Sequence, residues 1–136
     1  MKDFFENLNG FMQAEPSLKK MFGGRIYPLI LPQKPQFPCI VYQPITTVYH
    51  RNLQVESKFI RQVVQLTIHD TTFAKVRTAR KEVKKVFQDF SGKMGDLTIQ
   101  AVHTVSDLTG GSGTTTQYSV DEFTAILEYE FGYEEE

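Results

Sequence analysis

A chain of 136 residues, 40% hydrophobic and 12% aromatic, is long enough to bury a core and short enough that two domains would each be marginal. Fifteen basic residues against sixteen acidic ones leave a formal net charge of -1, which excludes a general attraction to nucleic acid or to an anionic membrane; any charged function is local. The lone cysteine, Cys39, excludes an intramolecular disulfide and a cysteine-based zinc cluster, and no stretch approaches the roughly 18 apolar residues of a membrane span.

The start, Met1-Lys2-Asp3-Phe4-Phe5-Glu6, has no continuous apolar run of the kind an export signal needs, so the expectation is a soluble chain made in the cytoplasm. Phe4, Leu8, Phe11 and Met12 fall on one helical stripe, which predicts an amphipathic helix. Glu15-Pro16 interrupts it, because proline lacks an N–H and restricts the residue before it. A further short turn then runs from Pro16 to Phe22 and stops at Gly23-Gly24. Prolines at 28, 32, 35 and 38 make the segment from Arg25 to Pro38 extended, along a sheet edge or a neighbouring subunit.

Cys39 to Val48 reads as a strand, with Pro44 arguing for an edge position or a bulge, and His50 to Ser57 as the turn that follows. From Lys58 to His69, Ile60, Val64, Leu66 and Ile68 share one strand face, with Gln62 the exception. Asp70-Thr71-Thr72 supplies helix-starting oxygens. Phe73, Val76, Ala79, Val83, Val86, Phe87 and Phe90 then recur at helical spacing. A helix of about 19 residues would run roughly 28 Å and cover the sheet. Ser91 to Asp96 ends it, and Leu97, Ile99, Ala101, His103 and Val105 alternate with Thr98, Gln100, Val102 and Thr104 as another strand. Ser106 to Gln117, rich in glycine and threonine, reads as a loop. The last strand, from about Tyr118 to Phe131, turns Phe123, Ala125, Leu127, Tyr129 and Phe131 to one face.

This order predicts an α+β fold: a mainly antiparallel sheet of about four to five strands, with an N-terminal helix and one long central helix packed on one face. No repeat or linker divides the chain. Residues 1–136 are expected to form a single domain, with a flexible loop at about 108–117 and a short acidic tail.

Signs of chemistry are sparse. His50, His69 and His103 show no metal-ligand spacing, and adjacent strand positions turn His69 and Asp70 to opposite faces. Gly110-Gly111-Ser112-Gly113 is followed by a strand rather than by the helix a phosphate loop requires. No catalytic, cofactor-binding or metal-binding residue is expected.

Interaction signals are stronger. Lys75, Arg77, Arg80, Lys81, Lys84 and Lys85 crowd one helix against Glu82 and Asp89; a solvated face, an acidic protein partner and a phosphate backbone are the open readings. Arg25, Tyr27, Phe37, Tyr42 and Tyr49 lie in or beside the proline-rich segment and are candidates for subunit contact. Gly110, Gly111 and Gly113 are candidates for a segment that orders on binding.

Taken together, the N-terminal helix, Gly23-Gly24-Arg25-Ile26-Tyr27-Pro28, Phe37-Pro38-Cys39-Ile40-Val41-Tyr42-Gln43, the strand ending Val64-Gln65-Leu66-Thr67-Ile68-His69 and the helix from Thr72 resemble the tail-completion family of tailed bacteriophages. These are tail terminator or tail-to-head joining proteins. The resemblance implies a non-enzymatic virion protein of a long-tailed phage, assembled in the host cytoplasm and located in the tail or neck. It implies a ring of copies, a hexamer, on the head-proximal end of the tail tube. That ring stops tube elongation, joins a head-completion or connector protein, and passes the genome without binding it specifically. No cofactor and no membrane enter. The rival readings are another neck component, such as a head-completion or stopper protein, and a small cytoplasmic regulatory protein that binds nucleic acid through the basic helix.

Overall fold

Asp3 opens the first helix, its carboxylate accepting a hydrogen bond from the Glu6 N–H at 2.8 Å, and the amphipathic stripe behind it seats α1 (Phe4–Ala14) on the core. The computed structural model describes residues 3–33, 35–52, 55–114 and 121–134. Pro16 begins α2 (Pro16–Phe22), and Gly23 ends it in the left-handed region at φ 57°, a conformation that glycine adopts without steric penalty. After β1 (Ile26–Pro28) come β2 (Cys39–Asn52), β3 (Val55–Asp70), α3 (Phe73–Phe87), β4 (Gly92–Met94), β5 (Leu97–Thr114) and β6 (Asp121–Glu134).

The strands form one curled sheet in the order β1-β2-β3-β6-β5-β4. The β1–β2 pairing is parallel and the other four are antiparallel. The sheet is therefore mixed and has six strands among the described residues, more than the expected four to five, and three helices pack on it. Strands β1 and β4 have three residues each, too few for an alternating pattern to reveal them.

The core lies between one sheet face and the helices. Phe4, Leu8 and Met12 of α1, Leu18 and Phe22 of α2, and Val76, Ala79, Val83 and Phe87 of α3 meet Ile60, Val64, Leu66 and Ile68 of β3 and Ala125, Leu127, Tyr129 and Phe131 of β6. Gln62 sits in the same buried row, because its amide is satisfied there. Its Nε2 donates to the Thr46 and Val63 carbonyls at 3.1 and 3.2 Å, and its Oε1 accepts from the Thr47 hydroxyl at 2.5 Å.

Several expectations change. Helix α3 has 15 residues, because the chain leaves the helix at Gln88 and Asp89 turns left-handed at φ 59°; Phe90 still packs on Phe11 from outside it, whereas Phe73 at its first turn is exposed. In β5 the register shifts between Ile99 and Ala101, so one residue is unopposed and alternation is reset. Val102, from the other alternating set, is consequently buried with Ile99, and Val105, at a second shift between Thr104 and Ser106, is exposed. Finally, the glycine-rich segment continues β5 as far as Thr114, with Gly110, Gly111 and Gly113 opposite Thr124, Phe123 and Glu122; residues 115–117 of the expected loop lie outside the described residues. The expected turn from His50 is likewise strand as far as Asn52.

The hairpins overhang in opposite directions. β3 and β6 pair from Phe59↔Glu134 to Asp70↔Phe123. The β2–β3 ladder runs past the first end to Asn52↔Val55, and the β5–β6 ladder past the other to Thr114↔Asp121.

Candidate functional site

The proline-rich segment is tied down at its ends. Arg25 Nε donates to the Pro38 carbonyl at 2.9 Å, and the Arg25 carbonyl accepts from the Ile40 N–H at 3.0 Å. These bonds close the excursion from β1 to β2 and leave Arg25 half-buried. Tyr27 is half-buried in β1, opposite Val41. Tyr42 is buried and stacks on Phe5 with ring centroids 6.5 Å apart; burial, and secondarily Asp3, raises its phenol pKa. Tyr49 is paired in β2 with Ile60, and its side chain lies outside the described residues.

Phe37 and Pro38 instead help to wall an open cleft of about 790 Å³ against the start of α3. Met21, Ala74, Lys75 and Thr78 line its other side, and Asp70 and Thr71 its end. Pro35, Phe37 and Pro38 make part of its wall apolar, and Lys75 is the cation in its lining among the described residues.

The basic face of α3 is divided. Arg77, Arg80 and Lys84 recur at helical spacing along the side that faces β5. Arg77 Nη1 donates to the Thr109 hydroxyl at 3.2 Å. Arg80 grips Asp107 through two nitrogens, Nε to Oδ1 at 2.7 Å and Nη2 to Oδ2, and Lys84 Nζ reaches Oδ2 at 3.0 Å. The Arg80 and Asp107 side chains are 14% and 21% exposed, so the pair sits at the surface with part of its area covered. Hydrogen bonding from Arg80, reinforced by Lys84, holds the Asp107 carboxyl below its ordinary range, and the same bond raises the Arg80 pKa. Beneath them the Tyr129 hydroxyl is buried with no hydrogen-bond partner among the described residues. Its pKa is pushed well above the phenol range by burial, then by Asp107. Lys85 pairs with Glu82 at 3.4 Å, while Lys75 and Lys81 are exposed on the outward sides of the helix.

The expected interface set thus separates. Phe37 and Lys75 meet at the cleft, and Lys81 is presented outward; Arg25, Tyr42, Arg77, Arg80 and Lys84 make contacts inside the subunit. Sequence reading missed a second class of residue, the exposed apolar side chains Ile45, Val48, Val105 and Leu108 on β2 and β5. Pro44 was the signal for the first two, since a proline inside a strand marks an edge or a bulge.

Among the described residues no three His, Cys, Asp or Glu side chains gather as metal ligands. His69 lies level with Thr124 and His103 with Glu130, six residues apart on β6, or about 20 Å along a strand. Among those residues no helix is long and apolar enough to cross a membrane.

A protein-family model described as "Tail completion protein gp17" matches residues 8–121. Among solved structures, a chain of the "Virion of native gene transfer agent (GTA) particle" shares the fold, with a TM-score of 0.66 over 96% of this chain and 91% of that chain at 11% identity. No curated protein matches the sequence.

Proposed function

The chain belongs to the tail completion protein gp17 family, and from that membership we propose that it is a structural protein of a long-tailed bacteriophage that forms a ring on the head-proximal end of the tail tube. The ring, six copies, stops tube elongation, gives the head a joining surface and leaves a channel for DNA. Its place is the tail or neck of the virion, after assembly in the host cytoplasm. Its partners are other copies of itself, the tail tube protein and a head-completion or connector protein, and its role is mechanical rather than catalytic.

The observation that carries this reading is the family match across residues 8–121. The fold shared with a chain of a gene transfer agent virion supports it. So does the electrostatics: a channel for DNA should avoid strong phosphate binding, and Asp107 and Glu82 draw on three of the helix cations within the subunit. That internal pairing also weakens the regulatory, nucleic-acid-binding alternative. Phe37, Lys75 and Lys81 are the partner-facing residues in this reading, with Tyr27 and the glycines of β5 as further contacts.

Particle mass and negative-stain imaging of the purified chain, alone and mixed with tail tubes, test the proposal. Rings, or caps on one tube end, are expected. A monomer that ignores tubes and binds DNA in a salt-sensitive way would overturn it.

A further inference from the structure

Both margins of the sheet are open over most of their length. Strand β1 covers β2 only at Ile40 to Tyr42, and β4 covers β5 only at Leu97 to Ile99. Among the described residues, β2 from Gln43 to Asn52 and β5 from Gln100 to Thr114 have no outer neighbour. A long row of unpaired N–H and C=O groups templates pairing with another chain, and proteins usually block such rows with charge, proline or brevity. Blocking is weak here. After Pro44, β2 continues Ile45-Thr46-Thr47-Val48-Tyr49 with no charged residue. The open part of β5 has one carboxylate, Asp107, which is turned inward onto Arg80 and Lys84.

The two margins also match. Each carries a bulge with an apolar residue at it and a second apolar residue three positions on. On β2 these are Ile45 and Val48, 45% and 42% exposed, with the bulge between Pro44 and Thr46. On β5 they are Val105 and Leu108, 52% and 64% exposed, with the bulge between Thr104 and Ser106. Directions agree as well. Three successive antiparallel pairings, β2 to β3 to β6 to β5, leave β2 and β5 antiparallel to each other. Rotation about an axis along the strands brings one copy's β5 beside its neighbour's β2 in that antiparallel sense, the more stable ladder. The reversed order sets Ile45 against Leu108 and Val48 against Val105.

We propose that the β2 edge of one copy pairs with the β5 edge of the next, continuing the sheet between subunits, with Ile45 and Val48 packed on Leu108 and Val105. The occupant of each edge is a second copy of this chain, because the complementary edge lies on the opposite margin of the same sheet. This pairing rests on the ring reading for its closure.

The test uses full-length chains assembled as rings or tube caps. Chains carrying Ile45→Cys mixed with chains carrying Leu108→Cys should cross-link under mild oxidation only to each other, and the double variant should give a ladder ending at the closed ring; Cys39 is buried and does not take part. Val48→Lys and Leu108→Lys, at exposed positions, should leave the melting temperature unchanged and abolish rings. Disulfide-linked homodimers of the Ile45→Cys chain alone, cross-links to the tube protein instead, or rings of unchanged mass in both lysine variants would overturn the edge pairing and leave the ring reading standing. If the unsubstituted chain forms neither rings nor caps, the ring reading falls, and the edge pairing with it.

Discussion

Tyr129 is the residue whose environment is least complete, since its hydroxyl is buried without a partner among the described residues while its ring packs on Phe87 at 5.5 Å. An unpaired buried hydroxyl is destabilising, so Tyr129→Phe is expected to raise stability by about 1 kcal/mol, read as a higher urea midpoint. A lower midpoint would mean that the hydroxyl is satisfied. Asp107 behaves oppositely. Its folded pKa lies below the ordinary 3.8, so its contribution is complete above that pH and is lost as pH falls through the depressed folded value. Asp107→Asn should lower stability by about 1 kcal/mol at neutral pH. The gap between wild type and variant should close on acidification, and a gap that stays constant with pH would show that charge is not the cause.

Among the elements, the turn between β4 and β5 is held to α1 by one side chain. Asn7 accepts from the Asp96 N–H at 3.0 Å and donates to the Asp3 carbonyl at 3.0 Å. Gly95, at φ 62°, passes directly under that amide, where an added methyl group would meet it. Gly95→Ala should therefore cost about 2 kcal/mol, visible in chemical denaturation, more than glycine-to-alanine exchange at the unobstructed Gly10. At the start of α3 the Thr72 hydroxyl accepts from the Lys75 N–H at 3.2 Å, and Thr72→Ala should lower stability by about 1 kcal/mol. Legibility in the sequence followed element length and locality. The break at Pro16, the stop at Gly23 and the inward row of β6 are local signals, and the structure has them. The β5 bulges were hidden, because each unopposed residue exchanges the faces of the stretch up to the next one without altering composition. The basic face of α3 was visible as charge, but its partner Asp107 lies 27 residues from Arg80, on a stretch that read as loop.

At the scale of the whole molecule, the division of the helix cations decides which variants report on assembly. Reversal of Arg80 and Lys84 removes the tie to β5 and should lower the melting temperature before any partner is added. Reversal of the exposed Lys75 and Lys81 should leave melting unchanged and reduce capping of tail tubes, measured by counting capped ends in negative stain. Equal effects of both double variants on melting would remove the distinction.

The opposed overhang of the two hairpins bears on why growth would halt at a single layer. In a head-to-tail ring with its axis along the strands, every β2–β3 hairpin points to one rim and every β5–β6 hairpin to the other. The two rims are built from unrelated stretches of chain, so the object has polarity. Under the proposed reading, the rim that meets the tube would not be repeated on the far side. If such a ring caps the tube, as proposed, a second ring in the same orientation would meet a rim unlike the one that received the first, leaving that end for another partner.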